Sequence, residues 1–215
     1  MGRTRDVSKI LTSNTSILTL ASASATYATK TSTGLNLIVP STIANTSGTA
    51  SIGTNGTVSF SAASTVSLND VFSTTYDKYK ILLDVQCSAT PEIRLRLRAS
   101  GSDNSTSNYY FTGYYSFSSD TTIGNDNLYR GDPASAWAIG VGGTNQTAIN
   151  VDLVSPFLST YTGYVSQGGA MDSTNEAYSL FINGGFSGTS SFTGLTIFPG
   201  SGTFSGSISV YGYNK

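Results

Sequence analysis

The sequence predicts an all-β protein: an antiparallel β-sandwich head, jelly-roll-like, preceded by an extended Ser/Thr-rich N-terminal stalk. Short segments in which apolar and polar residues alternate recur from Val58 to the C-terminus, the period of a half-buried strand. Separators such as GSDNSTS, GNDN, GGTNQ and PGSG stand between them, and Gly, Asn, Asp, Ser and Pro are the residues that turns demand. Only 11% of the 215 residues are charged, against about 25% in typical globular domains. Polarity comes instead from Ser, Thr, Asn and Gly, which compete with helical backbone hydrogen bonds.

Three regions follow along the chain. Residues 1–12, MGRTRDVSKILT, concentrate charge in Arg3, Arg5, Asp6 and Lys9 and read as a docking segment. Residues 13–57 are nearly all Ser, Thr, Ala, Asn and Gly, interrupted by Ile17-Leu18-Thr19-Leu20 and Leu35-Asn36-Leu37-Ile38-Val39. Such a stretch cannot by itself bury enough surface to offset its ordering entropy. It is either a disordered linker or an extended stalk held by neighbouring copies, and the recurring apolar groups favour the stalk. About 35 extended residues at roughly 3.3 Å each would reach on the order of 100 Å.

Residues 58–215 form the head. Val58-Ser59-Phe60 and Val66-Ser67-Leu68 alternate cleanly, and Tyr79 to Cys87 is more continuously apolar, as a central strand would be. Ile93, Leu95 and Leu97 alternate with Arg94, Arg96 and Arg98, so one face of that strand is core and the other guanidinium. Further strands are expected at residues 108–117, 136–141, 148–154, 161–165, 177–182, 192–198 and 203–211.

Composition closes several functional classes. With no histidine and one cysteine, a His-based triad, a His-ligated metal centre and a Cys-rich zinc site are excluded. Cys87 ends an apolar run and reads as a small buried hydrophobe. A net charge of -1 gives no counterion-release term for a polyanion, so no nucleic acid is expected as partner. No run of about 20 apolar residues occurs, so no membrane insertion is expected. A glycan depolymerase would need two carboxylates about 5 to 10 Å apart, and nothing in the sequence brings together Glu92 and Glu176, its only glutamates. The chain is expected not to be an enzyme, and no cofactor or metal is expected. The oxygen-rich stretch Gly124-Asn125-Asp126-Asn127, with Asp120 and Asp132 nearby, lacks the ligand spacing of a calcium loop and reads as an Asx-rich turn. Arg130-Gly131-Asp132 spells an adhesion tripeptide to which three residues give no weight.

Three pieces carry a resemblance: the opening MGRTRDVSKILTSNT, the pair TTYDKYKILLDVQ and EIRLRLRASGSDNSTSNYY, and the ending GTFSGSISVYGYNK. Together they resemble structural and tail-fibre proteins of tailed phages of marine bacteria and cyanobacteria. The resemblance covers the first dozen residues and, more loosely, Val58 to Lys215. It implies a virion component, homotrimeric, and brings no catalytic motif.

Two groups are candidate contact sites for a receptor or a neighbouring subunit. Tyr109, Tyr110, Phe111, Tyr114, Tyr115 and Phe117 cluster between polar turns, and rings with hydroxyls suit a sugar or protein receptor. Alternation turns about half of them inward, leaving Tyr110, Tyr114 and Tyr115 as the contact candidates. Arg94, Arg96 and Arg98 repel one another unless something opposite neutralises them: a facing acidic strand, a neighbouring subunit or an anionic glycan. A solvated face is the plainer alternative. The resulting expectation is a virion tail fibre or knob subunit, docked through Arg3, Arg5, Asp6 and Lys9, with a head that recognises a host surface glycan or protein. A head-decoration or capsid-fibre protein bracing the shell is the alternative.

Overall fold

The computed structural model describes residues 34–119, 128–171 and 176–215. Its strands, in chain order, are β1 (Leu35–Ile38), β2 (Thr42–Thr46), β3 (Thr49–Ile52), β4 (Val58–Ala63), β5 (Thr65–Asn69), β6 (Lys78–Cys87), β7 (Glu92–Ala99) and β8 (Ser102–Asp103). There follow β9 (Tyr109–Phe117), β10 (Leu128–Ala134), β11 (Trp137–Val141), β12 (Thr147–Val154), β13 (Thr162–Met171), β14 (Ala177–Phe186), β15 (Gly194–Pro199) and β16 (Phe204–Tyr213). They form two antiparallel sheets. The larger runs β10-β9-β14-β13-β12-β6-β16-β4-β3, with β1 also on β16. The smaller runs β11-β7-β15-β5-β2, with β8 on β7.

Within this order sits a jelly roll. Strands β4-β16-β6-β12 of one sheet face β5-β15-β7-β11 of the other, the strand order of two nested Greek keys. Two insertions enlarge it. Residues between β7 and β11 supply β8, β9 and β10, and residues between β12 and β15 supply β13 and β14. Strands β13, β14, β9 and β10 continue the larger sheet beyond β12.

Alternation explains why these segments pair as they do. Tyr79, Ile81, Leu83 and Val85 of β6, and Ile149, Val151 and Leu153 of β12, are buried; so are Ile93, Leu95 and Leu97 of β7. A one-residue slip would send each set to solvent, which fixes the register. Trp137 of β11 ties the inserted strands to this core. Its ring stacks on Tyr164 of β13 at 4.6 Å and meets Tyr109 of β9 edge-on at 5.2 Å, while its indole N–H donates to the Gly185 carbonyl at 3.1 Å. Truncation to alanine there would cost roughly 3 to 5 kcal/mol and loosen the whole extension. At the other end β16 carries a register irregularity against β4 between Phe204 and Gly206. Gly206 has φ +148°, and a Cβ there would run into the Asp84 carbonyl oxygen, so this bend requires glycine.

Two expectations about boundaries need correction. The stalk does not extend to residue 57, because β1 pairs with β16, β2 with β5 and β3 with β4. Open sheet edges satisfy the backbone of this Ser/Thr-rich stretch, and Ile38, Ile43 and Ala50 pack against the core; neighbouring copies are not needed for that. The compact unit begins at Leu35. Residues 1–33, with Arg3, Arg5, Asp6 and Lys9, lie outside the described residues, as do Asp120 and Gly124 to Asn127.

The second correction concerns glycine. The strands expected to stop at Val165 and Ile182 continue through Gly168-Gly169 to Met171 and through Gly184-Gly185 to Phe186. Glycine weakens a strand interior, yet here cross-strand pairing holds both doublets extended. Strand β10, which carries the Arg130-Gly131-Asp132-Pro133 sequence and pairs with β9, is a further strand outside the expected set.

Candidate functional site

The arginine stripe resolves into three different environments. Arg94 is exposed and ion-paired with Glu92 two residues earlier on the same strand face. Arg96 is half-buried; its Nε donates to the Ser135 carbonyl at 3.0 Å, and its guanidinium lies 4.6 Å from the Phe198 ring centre, a cation–π distance. Arg98 is only 8% exposed. It donates to the Asp103 carboxylate and the Gly101 carbonyl, and to Ser67 (3.1 Å), Asn69 (3.1 Å) and Thr196 (2.9 Å).

Local chain geometry creates the Arg98 site. Ser100 and Gly101 both have positive φ, 50° and 75°, the signature of a two-residue type I′ hairpin, and the turn sets Asp103 directly opposite Arg98. Thr196 in turn donates to Asp103 at 2.6 Å. Arg98 is therefore a structural residue, and its expected role as a receptor or subunit contact is withdrawn. The charge that opposes the stripe comes from within the chain, from Glu92 beside Arg94 and from Asp103, inside the GSDN segment that reads as a turn, beside Arg98 and, at 4.0 Å, Arg96.

The aromatic cluster divides by parity along β9. Tyr109 is buried; its hydroxyl donates to the Asn104 carbonyl at 2.7 Å and accepts the Leu97 N–H at 3.1 Å. Burial drives the phenol well above the usual tyrosine range. Phe111 and Tyr115 pack against the core, and the Tyr115 ring meets Phe117 edge-on at 5.4 Å. Tyr115 is thus on the inner face, which corrects its assignment as a contact residue. Tyr110 and Tyr114 point outward, as expected, with Tyr114 57% exposed.

Neighbours that the sequence did not single out complete the outward face. Cross-strand register sets Tyr114 opposite Phe181 of β14, Phe181 opposite Gln167 of β13, and Gln167 opposite Asn150 of β12. Phe181 is 43% exposed, so two rings and two carboxamides form one row across four strands. A depression of about 470 Å³ opens beside it, lined by Asn150, Gln167, Ser179 and Phe181 with Ala148 and Gly169 among its walls. A second, about 530 Å³, lies between Tyr110 and Tyr161 over Gly163 and Gly185. The residues lining both are uncharged. On β12 and β6 the face ends in a self-neutralised group. Lys80 pairs with Asp152 at 3.2 Å, and the Tyr213 hydroxyl donates to Asp152 at 2.6 Å. That hydrogen bond, with burial, raises the Tyr213 phenol to about 12.

The two carboxylates considered for glycan cleavage have other partners: Glu92 pairs with Arg94, and Glu176 accepts from the Ser119 hydroxyl. Strand-interior glycine doublets were the sequence signal that could have located the outer face, since a strand keeps glycine where something must approach closely.

The fold and this face define a jelly-roll β-sandwich with an enlarged sheet that exposes aromatic and amide side chains. No protein-family model and no curated protein matches the chain. Among solved structures it is similar to domain 4 of AbnA, a GH43 extracellular arabinanase from Geobacillus stearothermophilus, in complex with arabinotriose. That likeness has a TM-score of 0.31 and 14% identity, over 81% of this chain and 83% of that one, and it bears on neither site nor ligand.

Proposed function

We propose that the protein is a non-enzymatic structural component of a bacteriophage virion, a tail fibre or knob subunit. In this reading residues 1–12 dock on the particle, residues 13–34 act as the stalk, and the β head recognises the host surface. The subunit works as a homo-oligomer, a trimer. One structural observation carries the recognition role: Tyr114 and Phe181 stand side by side, in cross-strand register, exposed on a sheet face that no described element covers. Isolated exposed apolar residues are ordinary, but adjoining rings on a flat face are what binding surfaces use. The resemblance of the opening and closing segments to phage structural proteins supports the virion context.

The test is adsorption. Purified protein should bind cells of the phage's host, and the double variant Tyr114→Ser, Phe181→Ser should lose that binding while keeping its β circular dichroism. Adsorption unaffected by the double change would remove the recognition role from this face. Electron microscopy of particles lacking the gene separates a tail position from the head-decoration alternative by where density disappears.

A further inference from the structure

The chemistry of the outer face also points to a class of ligand, an inference that rests on the proposed recognition role. We infer that the depression between β12, β13 and β14 is a subsite for a neutral oligosaccharide. The sugar would stack on Phe181 and be held through its hydroxyls by Gln167, Asn150 and Ser179.

Three observations support this. The first is chemical. Each carboxamide offers an acceptor oxygen and a two-hydrogen donor, a set that neighbouring sugar hydroxyls satisfy, and among the described residues neither Gln167 nor Asn150 spends its side chain on another group. Phe181 supplies the apolar platform that the C–H face of a sugar ring requires.

The second is electrostatic. None of the residues lining the depression is charged. Along β12 and β6 the adjoining ionic groups are engaged, Lys80 with Asp152 and Asp84 with the Gln146 amide, while Arg130 of β10 stands on the same face beyond Thr112 and Asn183, outside the depression. Within the depression an anionic glycan would find no cation, and burying its charge there would go uncompensated. The volume, about 470 Å³, falls in the range of small-ligand sites. The row continues to Tyr114 across three strand spacings, about 14 Å, so an extended chain rather than a single ring is the natural occupant.

The third is the glycine. A Cβ on Gly169 would meet only the Tyr178 carbonyl oxygen at 3.5 Å, an ordinary contact, so packing does not require glycine there. Glycine inside a strand weakens it. Its presence leaves the floor of the depression open beside Ser179 and Ala148, its cross-strand partners.

The experiment is a printed array of bacterial surface glycans, neutral and anionic, with immobilised peptides as a further class, probed with full-length protein and three variants. Wild type is expected to bind one or more neutral glycans, with affinity unchanged in about 0.5 M NaCl. Phe181→Ala and Gln167→Ala should each weaken that binding at least about tenfold. Gly169→Leu fills the depression and should abolish binding while raising the melting temperature, so loss of function there cannot come from misfolding. Binding confined to anionic glycans or peptides, or no bound neutral glycan, overturns the ligand class. So does a neutral glycan that all three variants bind as wild type does. If no neutral glycan binds but adsorption to host cells still depends on Tyr114 and Phe181, the ligand class falls and the recognition reading stands. If adsorption ignores those residues, both fall.

Discussion

Arg98 and Asp103 face each other across the β7–β8 hairpin, and their ion pair makes one arginine of an apparently solvated stripe a fixed part of the smaller sheet. Ser67 and Thr196, both buried and hydrogen-bonded to each other at 2.8 Å, extend the network to β5 and β15. Removing the guanidinium would leave a partly buried carboxylate and two hydroxyls short of a donor. Arg98→Met should therefore destabilise the head by about 2 to 4 kcal/mol in urea unfolding. Arg98→Lys should recover little of it, because an ammonium cannot reproduce the five-donor fork. Arg94→Ala, at the exposed end of the same stripe, should change stability by less than about 1 kcal/mol. Equal effects at both positions would contradict the assignment.

Alkaline pH tests the core. Burial raises the Cys87 thiol from 9.0 to about 11 and pushes the Tyr79, Tyr109 and Tyr164 phenols upward. The folded state then keeps protons that the unfolded chain has released, so the unfolded state binds fewer and stability falls as pH rises. Loss begins near the unfolded values, at about pH 9 for the thiol and about pH 10 for the phenols, and each group contributes about 1.4 kcal/mol per pH unit. Unfolding free energy should be flat from about pH 7 to 8.5 and then decline, with Cys87→Ala delaying the onset by about one unit. An unchanged onset in that variant would mean that the thiol is exposed.

Two glycines of the inserted strands should respond in opposite directions. A Cβ on Gly184 would overlap the Tyr110 carbonyl oxygen, whereas a Cβ on Gly163 meets no atom closer than 4.0 Å. Gly184→Ala should cost about 1 to 3 kcal/mol through backbone displacement between β9 and β14. Gly163→Thr should stabilise by roughly 0.5 to 1 kcal/mol by restricting the unfolded chain and favouring the strand. Thermal melting of both variants decides it, and two losses would place Gly163 in a tighter setting than its surroundings indicate.

Local pattern was enough for the sandwich, and residues such as Ile93, Leu95 and Leu97 could be assigned to the core from alternation alone. Pattern could not separate Arg98 from Arg94, because burial at one end of β7 depends on Thr196, nearly a hundred residues away along the chain, and on a hairpin whose Asp103 looks like turn material. Tyr110 and Tyr114 were legible as outward residues once the strand parity was set; Tyr115 fell on the wrong side because the segment offers aromatic residues in both phases. Phe181, Gln167 and Asn150 are not legible as a site in the sequence, because each is ordinary in its own strand. Their proximity exists only in the register of three antiparallel pairings. The glycine doublets had the reverse effect, hiding strand continuity where the open face begins.

The proposed docking role of residues 1–12, which lie outside the described residues, is open to a direct test. Arg3, Arg5, Asp6 and Lys9 cluster in a protein otherwise short of charge and precede every strand of the head. Pairing with a complementary virion surface would give each desolvated contact roughly 1.5 to 3 kcal/mol, whereas a terminus with no partner would gain nothing. The compact unit begins at Leu35, so deleting residues 2–12 should leave its β circular dichroism and melting temperature unchanged while abolishing incorporation into particles. Arg3→Ala with Arg5→Ala should reduce incorporation in part, and more so at high salt, where the remaining charge pairs are screened. Truncated protein found on purified virions at normal copy number would move attachment into the stalk or the head, and with it would go the polarity that points the row of Tyr114 and Phe181 toward the host.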